Sequence, residues 1–194
     1  PAAGYKLVGE AKWLLADTSF TTQVRAMKKA KADIISISSH PFTTCGLLKE
    51  MKRQRVKPKL IVGLTSSSSM ETLQGCGKAA EGIIIPTSFA PVTDAARFAA
   101  AKTAEQGGST DLHSASAWEN VMIVKQVIEA NGIEAKPDTV QADRGKIRDG
   151  LAALKTTKGL IGTIKRTAEG EADKPFVYAH AKNSQWAVLH DPAK

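Results

Sequence analysis

Two cysteines, four histidines and 5% aromatic residues are all that this 194-residue chain offers for metal centres, thiol chemistry or stacking surfaces. A zinc site takes about four ligands. The histidines are scattered, and no C-x-x-C, His-x-Glu or His-x-x-x-His spacing occurs, so neither metal nor cofactor is expected. Cys45 and Cys76 read either as a disulfide or as two buried thiols. No apolar run approaches the roughly 20 residues of a membrane span. Pro1-Ala2-Ala3 has neither the basic start nor the apolar stretch of a secretory leader. With no initiating Met, Pro1 reads as a processed end or a boundary, which leaves the compartment open.

Catalytic signatures are equally scarce. There is no G-x-S-x-G elbow, and the serine run has no evident His and acid partners. "GCGK" at 75–78 is not a phosphate-binding loop, because Thr72 stands where the leading Gly would have to be. Asp33, the most tempting acid, begins a strand and reads as the cap of the turn before it. The chain is not expected to be an enzyme.

What is present in excess is positive charge, +8 at neutral pH with a pI near 9.5. Lys49, Lys52, Arg53, Arg55, Lys57 and Lys59 crowd the end of a predicted helix and the turn after it, where cations complement the helix dipole. No aromatics interleave with them as base stacking requires, so a solvated face is expected and nucleic acid is not. A composition of 42% hydrophobic and 24% charged residues suits one core or two small ones.

The pattern along the chain is β-α repeated. Tyr5–Val8 reads as a first strand. Asp17-Thr18-Ser19 then supplies N-caps for a helix carrying Phe20, Val24 and Met27. Strand Ile34–Ile37 precedes a helix with Leu47, Leu48 and Met51. Strand Leu60–Val62 precedes a short helix from about Ser69 to Gln74, and Gly82–Ile85 is a strand closed by Pro86. Ile-rich strands with short connections predict a parallel, doubly wound (Rossmann-like) α/β sheet.

From residue 92 to 156 there is almost no strand signal. Helices are expected over 92–106, from about Ser114 to Ala130 (Ala117, Val121, Val124 and Ile128 on one face), and around Ile147, Leu151 and Leu154. Their apolar faces have to be buried against something. The tail returns to antiparallel strands, Gly162–Arg166, Phe176–Ala181 and Trp186–Leu189, with a last turn at 182–185.

Two apolar strands stop abruptly in polar loops, Ser38-Ser39-His40-Pro41-Phe42 and Leu64-Thr65-Ser66-Ser67. In doubly wound sheets ligands bind beyond the carboxyl ends of the strands. Small hydroxyls and helix-start N–H groups suit a carboxylate or amide oxygen. Ser38, Ser39, His40, Phe42, Thr65 and Ser66 are therefore the candidate ligand-binding residues. The structural alternatives are an N-cap at Ser68 or Ser69, a turn role for His40, and a hydrophobic staple at Phe42. Trp13 and Asp17 reach the same edge but also fit core packing or capping. His113, in the segment crossing between bodies, is a further candidate.

The stretch "FTTQVRAMKKAKADIISISSHPFTTCGLLKEMKRQ" resembles the second lobe of type I periplasmic binding proteins. These are the solute receptors of branched-chain amino acid, amide and urea-type ABC transporters. "AAEGIIIPTSFAP" resembles the strand leading to the interlobe hinge. "HSASAWENVMIVKQVIEANG" resembles a long helix contributed to the other lobe, and "KGLIGTIKRTAEGEADKPFVYAHAKNSQWAVLH" the closing strands. The resemblance implies that 1–88 and 157–194 form the second lobe, and that helices 89–156 pack on a first lobe with no counterpart in this sequence. It thus resembles the C-terminal half of a receptor. Those helices would repack on the second lobe or bury their faces in a homodimer or a domain swap.

The resemblance further implies a periplasmic or extracellular, membrane-anchored lipoprotein that binds a small molecule and presents it to an ABC-transporter permease. Family members that bind α-amino acids commonly hold the ammonium group with an acidic side chain in the second loop. Here that loop reads Thr65-Ser66-Ser67. The expected ligand is therefore an aromatic or other organic carboxylate, or an amide or urea-like compound. A branched-chain amino acid, a cytoplasmic sensor of the same fold and a flavodoxin-like enzyme are the other readings.

Overall fold

The computed structural model describes residues 4–191, so the reading of Pro1-Ala2-Ala3 lies outside the described residues. Helix α1 (Thr21–Ala30), strand β1 (Ile34–Ile37), α2 (Pro41–Arg53), β2 (Leu60–Gly63), α3 (Met70–Cys76) and β3 (Ile84–Thr87) come first. Helices α4 (Asp94–Glu105), α5 (Leu112–Ala130) and α6 (Val140–Ala153) follow, then β4 (Thr156–Lys158), β5 (Thr163–Arg166) and β6 (Ala172–Asp173). Strands β7 (Val177–Lys182) and β8 (Gln185–His190) close the chain. The elements fall into two compact units, Pro1–Thr87 with Val177–Lys194, and Ser88–Phe176.

The first unit is an α/β body on a mixed sheet of order β1-β2-β3-β7-β8. β1, β2 and β3 are parallel, while β7 runs antiparallel to both β3 and β8. Ile35, Ile37, Ile83 and Ala181 from the sheet region share a core with Phe20, Val24, Leu47, Leu48, Met51 and Leu73 from the helices. Gly46 lets α2 approach α1, since a Cβ there would overlap the Phe20 ring. Cys45 and Cys76 are joined in a disulfide that ties α2 to the end of α3. The β7–β8 turn uses Asn183 and Ser184 at φ 52° and 60°, the doubly left-handed backbone of a tight hairpin.

Several sequence expectations need correction. Tyr5–Val8 is not a strand: Tyr5 is 64% and Leu7 80% exposed, and the sheet ends at β1. A strand exists only by sharing a ladder, and among the described residues this segment has no neighbour to share one with. The N-cap of α1 is Phe20, without a side-chain bond; Asp17 instead accepts a hydrogen bond from Leu14 N at 2.9 Å. Asp33 caps no turn through its carboxylate, which pairs with Lys59 at 3.0 Å.

Pro86 does not close β3 but lies within it, opposite Tyr178. Ile83 O accepts from Ala181 N, so by alternation Pro86 faces the β2 side. β2 pairs β3 only at Val62–Ile84, and no ladder N–H is required of the proline there.

In the second unit, the small sheet β4-β5-β6 keeps company with the helices, so residues 157–176 do not join the first unit as the sequence suggested. Thr93 caps α4 by accepting from Ala96 N at 3.1 Å, and Asp111 and Ser114 form a capping box on α5. α6 meets α5 where Gly150 leaves room: a Cβ there would sit 2.6 Å from a Val127 methyl. Glu119, 5% exposed, accepts from Leu160 N at 2.7 Å and pairs with Lys174 at 2.5 Å. Thr93 meanwhile donates to Leu160 O, so both backbone groups of Leu160 are held. The α5 face expected to be buried is largely open: Val121 is 68% and Val124 36% exposed, Ala117 is exposed and Ile128 half-buried. Ile147 and Leu151 on α6 and Leu154 just after it are half-buried.

Candidate functional site

The loops that follow β1 and β2 lie side by side because those strands are parallel neighbours in register, Ile37 opposite Gly63. Leu64 N donates to Ile37 O at 3.1 Å. Beyond that point side chains take over. The hydroxyls of Ser66 and Ser67 both donate to the backbone carbonyl of Ser39, each at 2.9 Å. With its one proton committed there, Ser67 accepts from the Thr44 hydroxyl at 3.0 Å. Ser39 Oγ bonds Thr43 Oγ1 in turn. A lattice of small hydroxyls thus locks the two loops to the first turn of α2.

The candidate residues divide sharply. Ser39 is buried and structural, its carbonyl the acceptor that joins the loops. Ser38 and His40 are exposed, and Thr65 and Ser66 half-buried. Phe42 is 64% exposed, so it is not a staple on α2 but a free aromatic face. His40 is the N-cap residue of α2 by position, without a side-chain cap bond, and Pro41 occupies the first turn. The N–H groups of Phe42 and Thr43 have no intrahelical acceptor, as in any first turn. Trp13 packs against the core, edge-on to Phe20 with ring centroids 6.2 Å apart. His113 is exposed on the first turn of α5 in the second unit.

Sequence reasoning missed Ser67, whose side chain is fully buried and makes two of the bonds that hold the site. The N-cap expected at Ser68 or Ser69 falls at Ser69, which holds that position of α3 without a side-chain cap bond. The hydroxyls of Ser68, Ser69 and Thr72 are buried with no hydrogen-bond partner among the described residues. The carbonyl of Ser69 accepts from Trp186 Nε1 at 3.3 Å. No acidic residue lies in either loop. The arrangement offers donors, acceptors and one aromatic face, but no nucleophile with a base and no charge for an ammonium group.

Residues 1–185 match the sequence model of a family described as periplasmic binding protein. No protein with a curated description matches. Among solved structures, an extracellular ligand-binding receptor from Rhodopseudomonas palustris superposes with a TM-score of 0.82 at 21% identity, over 97% of this chain and 56% of its own. The leucine-binding protein LivK from Thermotoga maritima superposes at 0.77 with 20% identity, over 92% of this chain and 50% of its own. A solute-binding protein of an ABC transporter from R. palustris, solved with benzoate, superposes at 0.73 with 16% identity, over 91% and 47%. At these identities the likeness is one of fold, and the chain spans about half the length of those proteins.

Proposed function

Because the chain belongs to the periplasmic binding protein family, we propose that it supplies one lobe of a solute receptor of an ABC transporter. The loops after β1 and β2 form that lobe's half of the cleft. The carrying observation is the pairing of Ser66 and Ser67 with Ser39 O at the carboxyl ends of two parallel strands. This is the edge where α/β sheets take ligands.

The second unit, with its open α5 face, would pack on a first lobe. The two lobes would then close by hinge motion on the solute and present the closed form to a permease. A periplasmic or extracellular location is supported by the Cys45–Cys76 disulfide, since such bonds persist in oxidising compartments.

The solute we propose is a small organic carboxylate, aromatic ones included, or an amide or urea-like compound. Burying an unpaired ammonium is expensive, and neither loop carries a carboxylate to pair with one. The test is an amide-resolved NMR titration of the chain with benzoate, acetamide and leucine. Benzoate or acetamide is expected to shift residues 38–42 and 64–67. If leucine alone shifts them, the ligand class is wrong; if none does, the loops are not the site.

A further inference from the structure

The end of the sheet opposite the candidate cleft carries a second feature with no part in the reading above. α2 ends there in a closing turn: Val56 N donates to Met51 O at 2.9 Å and Arg55 N to Lys52 O at 3.2 Å. Val56 then folds toward the helix it follows, as the residue after such a turn commonly does. A cavity of about 150 Å³ opens beside it. Its floor is apolar, built from Leu48, Met51, Val56, Ile61 and Ala79. Its rim is wholly cationic, formed by Lys52, Arg55, Lys57 and Lys78.

Two observations separate this rim from an ordinary solvated face. Two of the basic residues close by in sequence have acids, Arg53 with Glu50 and Lys59 with Asp33. The four rim cations form no ion pair among the described residues, and no carboxylate lines the cavity. Four like charges around one small opening favour an anion over a neutral or cationic occupant.

Second, Arg55 sits at φ 59°, the left-handed position after a helix where glycine is favoured and a side chain is strained. The backbone would prefer Gly, yet an arginine that lines the cavity stands there.

We propose that this cavity is a second ligand site, for a small amphipathic carboxylate. Its alkyl or aryl group lies on the floor, and its carboxylate is held by Arg55 and the flanking lysines. A cavity of roughly this volume accepts a benzene-sized group. A bare phosphate gains nothing from the floor, and a neutral alcohol gains nothing from the rim. The site is distinct from the cleft, because β2 and β3 begin at this end and the cleft loops lie at the other.

The test is an amide NMR titration of the 194-residue chain with hexanoate, 1-hexanol and inorganic phosphate in parallel. Hexanoate is expected to shift Val56, Ile61 and Ala79 saturably, and the two comparators to act far more weakly. Arg55→Gln should weaken hexanoate by about tenfold, as loss of a hydrogen bond to a charged group does. Arg55→Gly should weaken it as much while raising the melting temperature, which separates lost binding from lost folding. Hexanol or phosphate matching hexanoate, or an Arg55→Gln/Lys57→Gln variant that binds as before, overturns the proposal. So does hexanoate acting only at residues 38–42 and 64–67, or no shift at all.

Discussion

Ser67 donates its hydroxyl proton to the backbone carbonyl of Ser39 at 2.9 Å, and this bond fixes the loop after β2 against the loop after β1. Ser66 makes the same bond from a half-buried position. The two differ in what their loss leaves behind. Ser67 is fully buried and is also the acceptor for Thr44. Ser67→Ala therefore strands the Thr44 hydroxyl in the interior and should cost about 1–3 kcal/mol. Ser66→Ala leaves the Ser39 carbonyl its other donor and should cost nearer 0.5–1.5 kcal/mol. Urea denaturation of the two variants checks the order, and a Ser67→Ala no worse than Ser66→Ala would remove this lattice from the account of the site.

The Cys45–Cys76 bond closes a sequence separation of 31 residues between two buried side chains. Restricting the unfolded chain over a loop of that size stabilises the native state by about 2–4 kcal/mol. Dithiothreitol should lower the urea midpoint accordingly, and Cys45→Ala/Cys76→Ala should melt near the reduced protein. Two reactive thiols counted in the unreduced, unfolded chain would contradict the pairing, and with it the support the bond lends to an oxidising compartment.

Much of this fold is legible because it is local. The Ile-rich runs at 34–37 and 60–63 end where polar loops begin, and the alternation at 177–182 marks a half-buried strand. Tyr5–Val8 also reads as a strand but has no ladder partner among the described residues, a fact its own residues do not carry. Pro86 reads as a strand end, and only the early halt of β2 shows why a proline is tolerated inside β3.

The site follows the same rule. Its two loops are visible as interruptions of apolar strands, and their lack of a carboxylate is plain in the sequence. Which serine is buried and which faces solvent depends on bonds across 23 to 28 residues. Glu119 and Lys174 meet across 55 residues, beyond the reach of any local pattern.

Glu50 on α2 gives a pH signature. The Arg53 guanidinium foremost, then the Gln54 amide, hold its carboxyl down to about 2. Gln54 also donates to Thr21 O at 3.1 Å, so this cluster joins α2 to α1. A depressed acid contributes stability that is present above its unfolded value near 4.5 and lost as pH falls toward about 2. Wild type and Glu50→Gln should therefore differ most at neutral pH and converge between those limits. Melting temperatures across that range test it, and a difference that grows on acidification would reverse the sign of the argument.

Helix α5 is apolar around much of its circumference. One side is buried through Glu119 and Val127, while Val121 at 68%, Met122 at 47% and Trp118 at 37% remain exposed on another. A helix so composed is ordinarily covered on every side, and contiguous exposed apolar surface marks a contact site or an aggregation hazard. The chain alone should therefore associate with itself as concentration rises and should bind a hydrophobic dye. Val121→Lys/Met122→Lys should suppress both and leave the unfolding free energy within about 0.5 kcal/mol per site, because neither side chain is in a packed core. Light scattering and dye fluorescence read the outcome. A chain that stays monomeric without these substitutions, or associates equally with them, would mean that this face is not what the second unit needs covered.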